Sequence, residues 1–184
     1  MNYTNKYMYD LKKWTKNVTK KTFFKYLFLP QFKLVYLKRK CEKKRKYFKF
    51  VTLLFKYIYK HYQIKYNIEI PSETVIGKGF KIAHIGGIVV NSKVLIGDNV
   101  TILNGVLIGY EPRGIRKGTP TIKNNVWIGS NAAIVGNIEI GNNVLIAPNA
   151  FVNFNVPDNS IVIGNPAKII KKENAVKDYI TVNI

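Results

Sequence analysis

The chain has 184 residues, a formal net charge of +20, two histidines and one cysteine. That length suits one repeat domain with an extension and excludes two large domains. A single cysteine, Cys41, excludes an intrachain disulfide and fits a reducing cytoplasm, the expected location.

Charge is concentrated at the start. Residues 1–68 hold 19 of the 30 Lys and Arg but only two acids, Asp10 and Glu42, a net of +17, together with 18 of the 24 aromatic residues. Phe24, Leu27 and Phe28 stand at helical spacing ahead of Pro30, which should end or kink that helix. Phe48, Val51, Leu54, Phe55, Ile58 and Tyr62 then predict one apolar face of a helix across 46–64. The longest apolar run in this segment is four residues, far short of a bilayer span, and no stretch reads as a signal peptide. A basic aromatic helix can lie on an anionic membrane surface, pack at the base of a neighbouring domain with its lysines solvated, or bind phosphates of nucleic acid. No nucleic-acid motif accompanies the third reading, and no nucleic-acid partner is expected.

Beyond Asn67 the pattern changes, and residues 69–184 carry a net of only +3. Ile122, Ile128, Ile134, Ile140, Ile146 and Val152 stand six apart, and Val126, Ala132, Ile138, Val144, Ala150 and Val156 keep the same spacing. Helices repeat every 3.6 residues and flat strands every 2, so neither explains a period of six. A chain that turns a corner every six residues does explain it: three short sides make one coil, and stacked coils share a core, as in a parallel β-helix. Ile96, Ile102 and Ile108 extend the run, and Ile70, Ile76, Ile82 and Ile88 form an earlier one. The eight-residue step from Ile88 to Ile96 reads as a two-residue insertion at one corner. The fourteen-residue step from Ile108 to Ile122 predicts a protruding loop, 109–120. Corners read Gly77-Lys78-Gly79, Gly97-Asp98-Asn99 and Gly141-Asn142-Asn143, residues that tolerate left-handed backbone.

The candidate chemistry centres on His84, two positions after Ile82 at a corner and followed by Gly86 and Gly87. It can be a structural hydrogen-bonding residue or a catalytic base. His61 lies in the basic segment and reads as a surface or packing residue. With no second His and no Cys on the coils, a zinc site of the usual kind is not expected, which argues against a β-helix carbonic anhydrase.

His84 with Gly87-Ile88-Val89-Val90, then Val126-Trp127-Ile128-Gly129-Ser130 and the closing Gly164-Asn165-Pro166-Ala167-Lys168, resemble the hexapeptide-repeat acyltransferases. The resembling branch contains serine O-acetyltransferases and capsule or lipopolysaccharide O-acetyltransferases, and the likeness runs from Asn67 to Lys172. It implies a mainly β fold, a left-handed parallel β-helix of hexapeptide repeats (67–172), with a basic α-helical extension (1–66) and a C-terminal tail (173–184). It also implies a homotrimer that binds acetyl-CoA between subunits, without a metal.

By the same resemblance His84 is the general base on an acceptor hydroxyl, and Glu69, fifteen residues earlier, orients its ring. Glu69 can also be an ordinary strand-edge acid. Gly109, Tyr110 and Ser130 match positions that stabilise the oxyanion or touch the cofactor, and Ser130 and Pro148 line the pantetheine groove. Lys168 and Lys171 match basic positions near the nucleotide, although tail lysines are ordinarily just solvated. Departures from the serine enzymes appear at Ala83, Gly118 and Thr119, where those enzymes carry an aspartate, an arginine and a second histidine. Loss of charged anchors, together with the basic extension, favours a neutral sugar acceptor. The expectation is therefore an O-acetyltransferase acting on a capsule or lipopolysaccharide saccharide, with peripheral membrane contact through residues 1–66. Serine O-acetyltransferase and a silent scaffold are the alternatives.

Overall fold

The computed structural model describes residues 6–42 and 49–180. Four helices come first: α1 (Lys6–Lys12), α2 (Lys20–Leu27), α3 (Pro30–Glu42) and α4 (Lys49–Lys65). Thr19 caps α2, its hydroxyl accepting from Thr22 N while Thr22 reaches back to Thr19 N. Pro30 opens α3, at the first turn where its missing N–H costs nothing.

The chain then winds in coils. β1 (Ile68–Glu69), β2 (Val75–Ile76) and β3 (Lys81–Ile82) form the first, and β4 (Ile88–Val90), β5 (Leu95–Ile96) and β6 (Thr101–Ile102) the second. β7 (Leu107–Gly109), β8 (Thr121–Ile122) and β9 (Val126–Ile128) form the third, then β10 (Ala133–Val135), β11 (Glu139–Ile140) and β12 (Val144–Ile146) the fourth. β13 (Phe151–Val152) and β14 (Ser160–Ile163) begin a fifth, closed by β15 (Lys168–Lys171). Strands stack in parallel into three faces: β1-β4-β7-β10-β13 (face 1), β2-β5-β8-β11 (face 2) and β3-β6-β9-β12-β14, where β15 joins antiparallel (face 3). This is a left-handed parallel β-helix.

All twelve residues of the two predicted registers from Ile122 to Val156 are buried. Each fully buried aliphatic side chain stabilises by roughly 1.5–3 kcal/mol relative to exposure, so the period of six is the core itself. At the corner between faces 2 and 3, Asn99, Asn125, Asn143 and Asn159 repeat a positive φ of 54–60°. Asn99 Nδ2 donates to Asn125 Oδ1 at 2.7 Å, so the short amides that permit this backbone also tie successive coils together.

The pairing relocates one irregularity. Ile88 pairs with Ile68, whereas Val90 pairs with Ile108 and starts a regular step of six to Ile96. The two extra residues therefore lie between Ile82 and Val90, at the His84 corner, and not between Ile88 and Ile96. Ile88 and Val90 both point inward, and only the pairing distinguishes the registers. α4 also differs from the single apolar face expected for 46–64. Phe55, Ile58 and Tyr62 pack inward with Tyr59, but Leu54 is half exposed, on a second apolar stripe facing outward. Phe48 lies outside the described residues.

The helices close the first coil, whose backbone has no preceding coil to pair with. Gln63 Oε1 accepts from Ile70 N at 2.8 Å, and Tyr59 Oη donates to Ile70 O at 2.8 Å. Lys38 Nζ donates to Thr74 O at 2.7 Å, and both Lys6 Nζ and Arg39 Nη1 donate to Ile76 O. Asp10, fully buried, accepts from Phe80 N at 2.8 Å and from Arg39 Nε at 2.9 Å and Nη2 at 3.2 Å. Of the extension's cations, Lys13, Lys38 and Arg39 are buried. Lys13 is held down to about 8 by burial and by Lys81. Removing Arg39 would leave the Asp10 carboxylate buried without its partner. Arg39→Met is expected to lower stability by about 3–5 kcal/mol, measured as a shift in the urea midpoint with the m-value retained. A change under about 1 kcal/mol would mean that the pair behaves as an exposed one.

Candidate active site

His84 stands exposed at the corner between faces 3 and 1. The two inserted residues widen this corner. Gly86 takes φ +107° and a Cβ there would meet nothing within 4 Å, so the corner has open space two residues past His84. Gly87, at φ +66°, packs against Gly105 Cα, which brings the chain back onto the next coil. The pairing of Ile102, Ile128 and Ile146 places Asn104, Ser130 and Pro148 in one row down this edge. Gly105 N donates to Gly86 O as Asn131 N does to Asn104 O, so Gly86 is the first-coil member of the row and His84 lies in the insertion just before it. With coils about 4.8 Å apart, Ser130 is about 10 Å from Gly86 and Pro148 about 14 Å. Ser130 Oγ donates to Asn104 Oδ1 at 2.9 Å. Asn104 was not singled out from the sequence, and its place in the row follows only from coil register.

Glu69 lies on β1, its side chain exposed and its partner across the ladder Val89. Neither the Glu69 nor the His84 side chain makes a hydrogen bond or ion pair within the described residues. Glu69 instead lines a cleft of about 420 Å³ on face 1 with Val89, Leu107, Gly109, Tyr110 and Val135. A second cleft of about 380 Å³ adjoins it at Val135, beneath the loop, and is lined by Glu111, Arg113, Ile115, Arg116 and Asn153. The loop is held at its base by Glu111 N to Gly118 O (2.9 Å) and the reciprocal bond (3.0 Å). Asn137 N donates to Arg116 O at 2.9 Å, anchoring the far side to the next coil. The sequence marks this loop as basic, but only the fold places both arginines over face 1.

The proposed site residues thus fall into three groups. Glu69, Gly109 and Tyr110 share the face 1 cleft; His84, Ser130 and Pro148 share the edge; neither cleft includes His84. Lys168 and Lys171 sit apart on β15, both exposed. Three residues apart on a strand, they project from opposite faces, so they cannot grip one phosphate together, and their spacing does not make a clamp. Among the described residues no group of three His, Cys, Asp or Glu converges to hold a metal. Cys41 offers no nucleophile: it is buried, and burial pushes its thiol up to about 11. Face 3 is covered by residues 175–180, where Ala175, Val176 and Ile180 pack on Leu145 and the Tyr179 ring lies tilted with its centroid 4.7 Å from that of Trp127.

Residues 119–153 match the family described as "Bacterial transferase hexapeptide (six repeats)". That match runs from β8 to β13, where the period of six is unbroken. Among curated proteins, the serine acetyltransferase of Buchnera aphidicola subsp. Acyrthosiphon pisum is 34% identical over 124 residues, 67% of this chain and 45% of the relative. That of Staphylococcus aureus strain Mu50 is 42% identical over 106 residues, 58% of this chain and 50% of the relative. The chain therefore spans about half the length of these curated relatives. Among solved structures, the serine acetyltransferase of Brucella abortus strain S19 superposes with a TM-score of 0.75 at 26% identity, covering 94% of this chain and 70% of that one. The Neisseria gonorrhoeae serine acetyltransferase in complex with serine gives 0.73 at 28%, covering 91% and 69%.

These likenesses overturn the saccharide acceptor, and with it the capsule assignment. That expectation rested on charges missing at Ala83, Gly118 and Thr119. It overlooked Arg113 and Arg116, which put cations over the same face from other positions of the loop.

The edge row depends on close approach between coils. A Cβ on Gly129 would lie 2.5 Å from Pro148 N, which is backbone and cannot move aside cheaply. Gly129→Ala should therefore cost about 1–3 kcal/mol, read as a lower denaturation midpoint. An unchanged midpoint would show that the coils separate freely at this edge.

Proposed function

We propose that the chain transfers an acetyl group from acetyl-CoA to the hydroxyl of serine. The observation that carries the reading is the agreement of sequence relatives and solved structures on one activity, serine acetyltransferase. His84 is the general base. An alcohol is a poor nucleophile while it keeps its proton, so the neutral imidazole takes that proton as the oxygen attacks the thioester carbonyl. The new ester bond forms, the carbon–sulfur bond breaks, and the imidazolium returns the proton to the departing thiolate. No acetyl-enzyme is needed. Glu69, on the strand next to the one His84 leads into, orients the ring and offsets its positive charge. Acetyl-CoA supplies an activated acyl group. Its thin arm fits the edge row past Ser130 and Pro148, with Gly109 and Tyr110 at the reacting end and Lys168 and Lys171 as separate cations for the nucleotide.

The two halves of this machinery lie on opposite edges of face 1, with His84 in neither cleft. A threefold assembly would bring one copy's His84 edge against the next copy's loop, so the working unit in this reading is a homotrimer. Serine carries a carboxylate, and Arg113 and Arg116 are the loop cations that would meet it.

Two measurements test this. His84→Ala should lower kcat for acetyl-CoA-dependent serine acetylation about a hundredfold to ten-thousandfold, with the sedimentation coefficient unchanged. Turnover equal to the parent protein would remove His84 from the mechanism. Arg113→Ala and Arg116→Ala should raise KM for serine about tenfold or more in at least one case, with a smaller effect on kcat. If both leave KM unchanged, the carboxylate is held elsewhere.

A further inference from the structure

We infer that the outer face of α4 docks on an anionic lipid bilayer. Around the helix at 100° per residue, Phe50, Leu53, Leu54, Tyr57 and Ile64 fall within an arc of about 100°. They form a stripe about 21 Å long at 1.5 Å per residue. The structure leaves this stripe uncovered: Phe50 is 78% exposed, Tyr57 76% and Ile64 71%. The opposite face of the same helix, through Phe55, Ile58, Tyr59 and Tyr62, packs on α3 and the first coil, so α4 is held with its stripe outward. Exposed Lys56 and Lys60 border the stripe on one side and Lys65 on the other, and α4 contains no acidic residue.

Charge decides the occupant. A second copy of this chain would bring another segment of net +17 against the first, with only Asp10 and Glu42 to offset it, and both acids are engaged in ion pairs with Lys38 and Arg39. Like charge opposes that contact, whereas an anionic headgroup layer attracts it. Lysine stems reach from the rim of an apolar stripe to headgroups while Phe, Leu and Tyr enter the acyl boundary. No helix among the described residues is long and apolar enough to cross a membrane, so α4 would lie in the plane of the surface.

The test uses the full chain and vesicles of phosphatidylcholine alone or with added phosphatidylglycerol, separated by flotation. The chain should float with the anionic vesicles and stay behind with the neutral ones. Leu53→Ser with Tyr57→Ser, and Lys60→Glu alone, should each lower the bound fraction's partition coefficient about tenfold. All three positions are exposed, and an unchanged far-UV spectrum and sedimentation coefficient would show that the fold and assembly persist. Any of four results would overturn the inference: no flotation with anionic vesicles; equal flotation with neutral ones; flotation that survives the Leu53/Tyr57 change, marking a purely ionic contact; or a Leu53/Tyr57 variant that sediments as a smaller particle, marking a second copy as the occupant.

Discussion

The molecule depends on how its first coil is finished. Each coil of a β-helix pairs its backbone with the coils on either side, so the terminal coil faces outward with unpaired N–H and C=O groups, an open sheet edge. Here that edge is satisfied almost group by group from the helices: Ile70 by Gln63 and Tyr59, Thr74 by Lys38, Ile76 by Arg39 and Lys6, Phe80 by Asp10. Long donors are needed because the carbonyls belong to the coil and the helices must lie across it. Lys and Arg have that reach. Part of the extension's basic character is therefore structural, and the Asp10–Arg39–Glu42 set keeps the buried cations from standing alone. The far end is finished differently. β15 folds back antiparallel on β14 and presents Lys168 and Lys171, exposed charges that discourage further strand addition.

Between these two ends the solenoid is uniform, and uniformity limits what it can do. Identical corners give identical surroundings, so a reactive group needs a corner unlike the others. The two residues inserted between Ile82 and Val90 make one, and His84 occupies it two residues before the open space at Gly86. The loop after β7 makes another, lifting Arg113 and Arg116 over face 1. Both breaks lie in the first three coils. The coils that follow extend the edge row past Ser130 and Pro148, a straight rail of fixed pitch suited to a long, thin substrate arm.

Shape was legible because burial and period are the same physical fact: every inward position of the regular run is aliphatic or Ala. The location of the insertion was not. Ile88, Val89 and Val90 form a strand whose first and third residues both face the core, so two registers have equal hydrophobic merit, and only the ladder to Ile68 and Ile108 separates them. The fate of the lysines was equally hidden. Lys38 and Lys40 look alike in sequence, but Lys38 is buried against Thr74 O while Lys40 rests over the Tyr36 ring. The helical period of α4 was visible, yet Leu54 and Phe55 are consecutive and both apolar, and the tertiary packing that turns Phe55 inward and Leu54 outward lies in α3 and the first coil. The covering of Trp127 by Tyr179 could not be foreseen from a tail without period.

The acceptor illustrates a wider limit on reasoning from aligned positions. Uncharged residues at Ala83, Gly118 and Thr119 show that particular anchors are gone; they do not show that the charge is gone from the site. A loop closed at its base by Glu111 and Gly118 and pinned through Arg116 O can present a guanidinium from any of several positions. Electrostatic attraction for a carboxylate depends on where the cation arrives and not on which residue number carries it. Arg113 and Arg116 arrive over the cleft next to the one that holds Glu69 and Tyr110. A zwitterionic acceptor with a hydroxyl would find a cation there for its carboxylate and an acid, Glu111, for its ammonium. A neutral sugar would leave these charges unmatched, so the loop that lacks the aligned anchors still favours an amino acid through neighbouring positions.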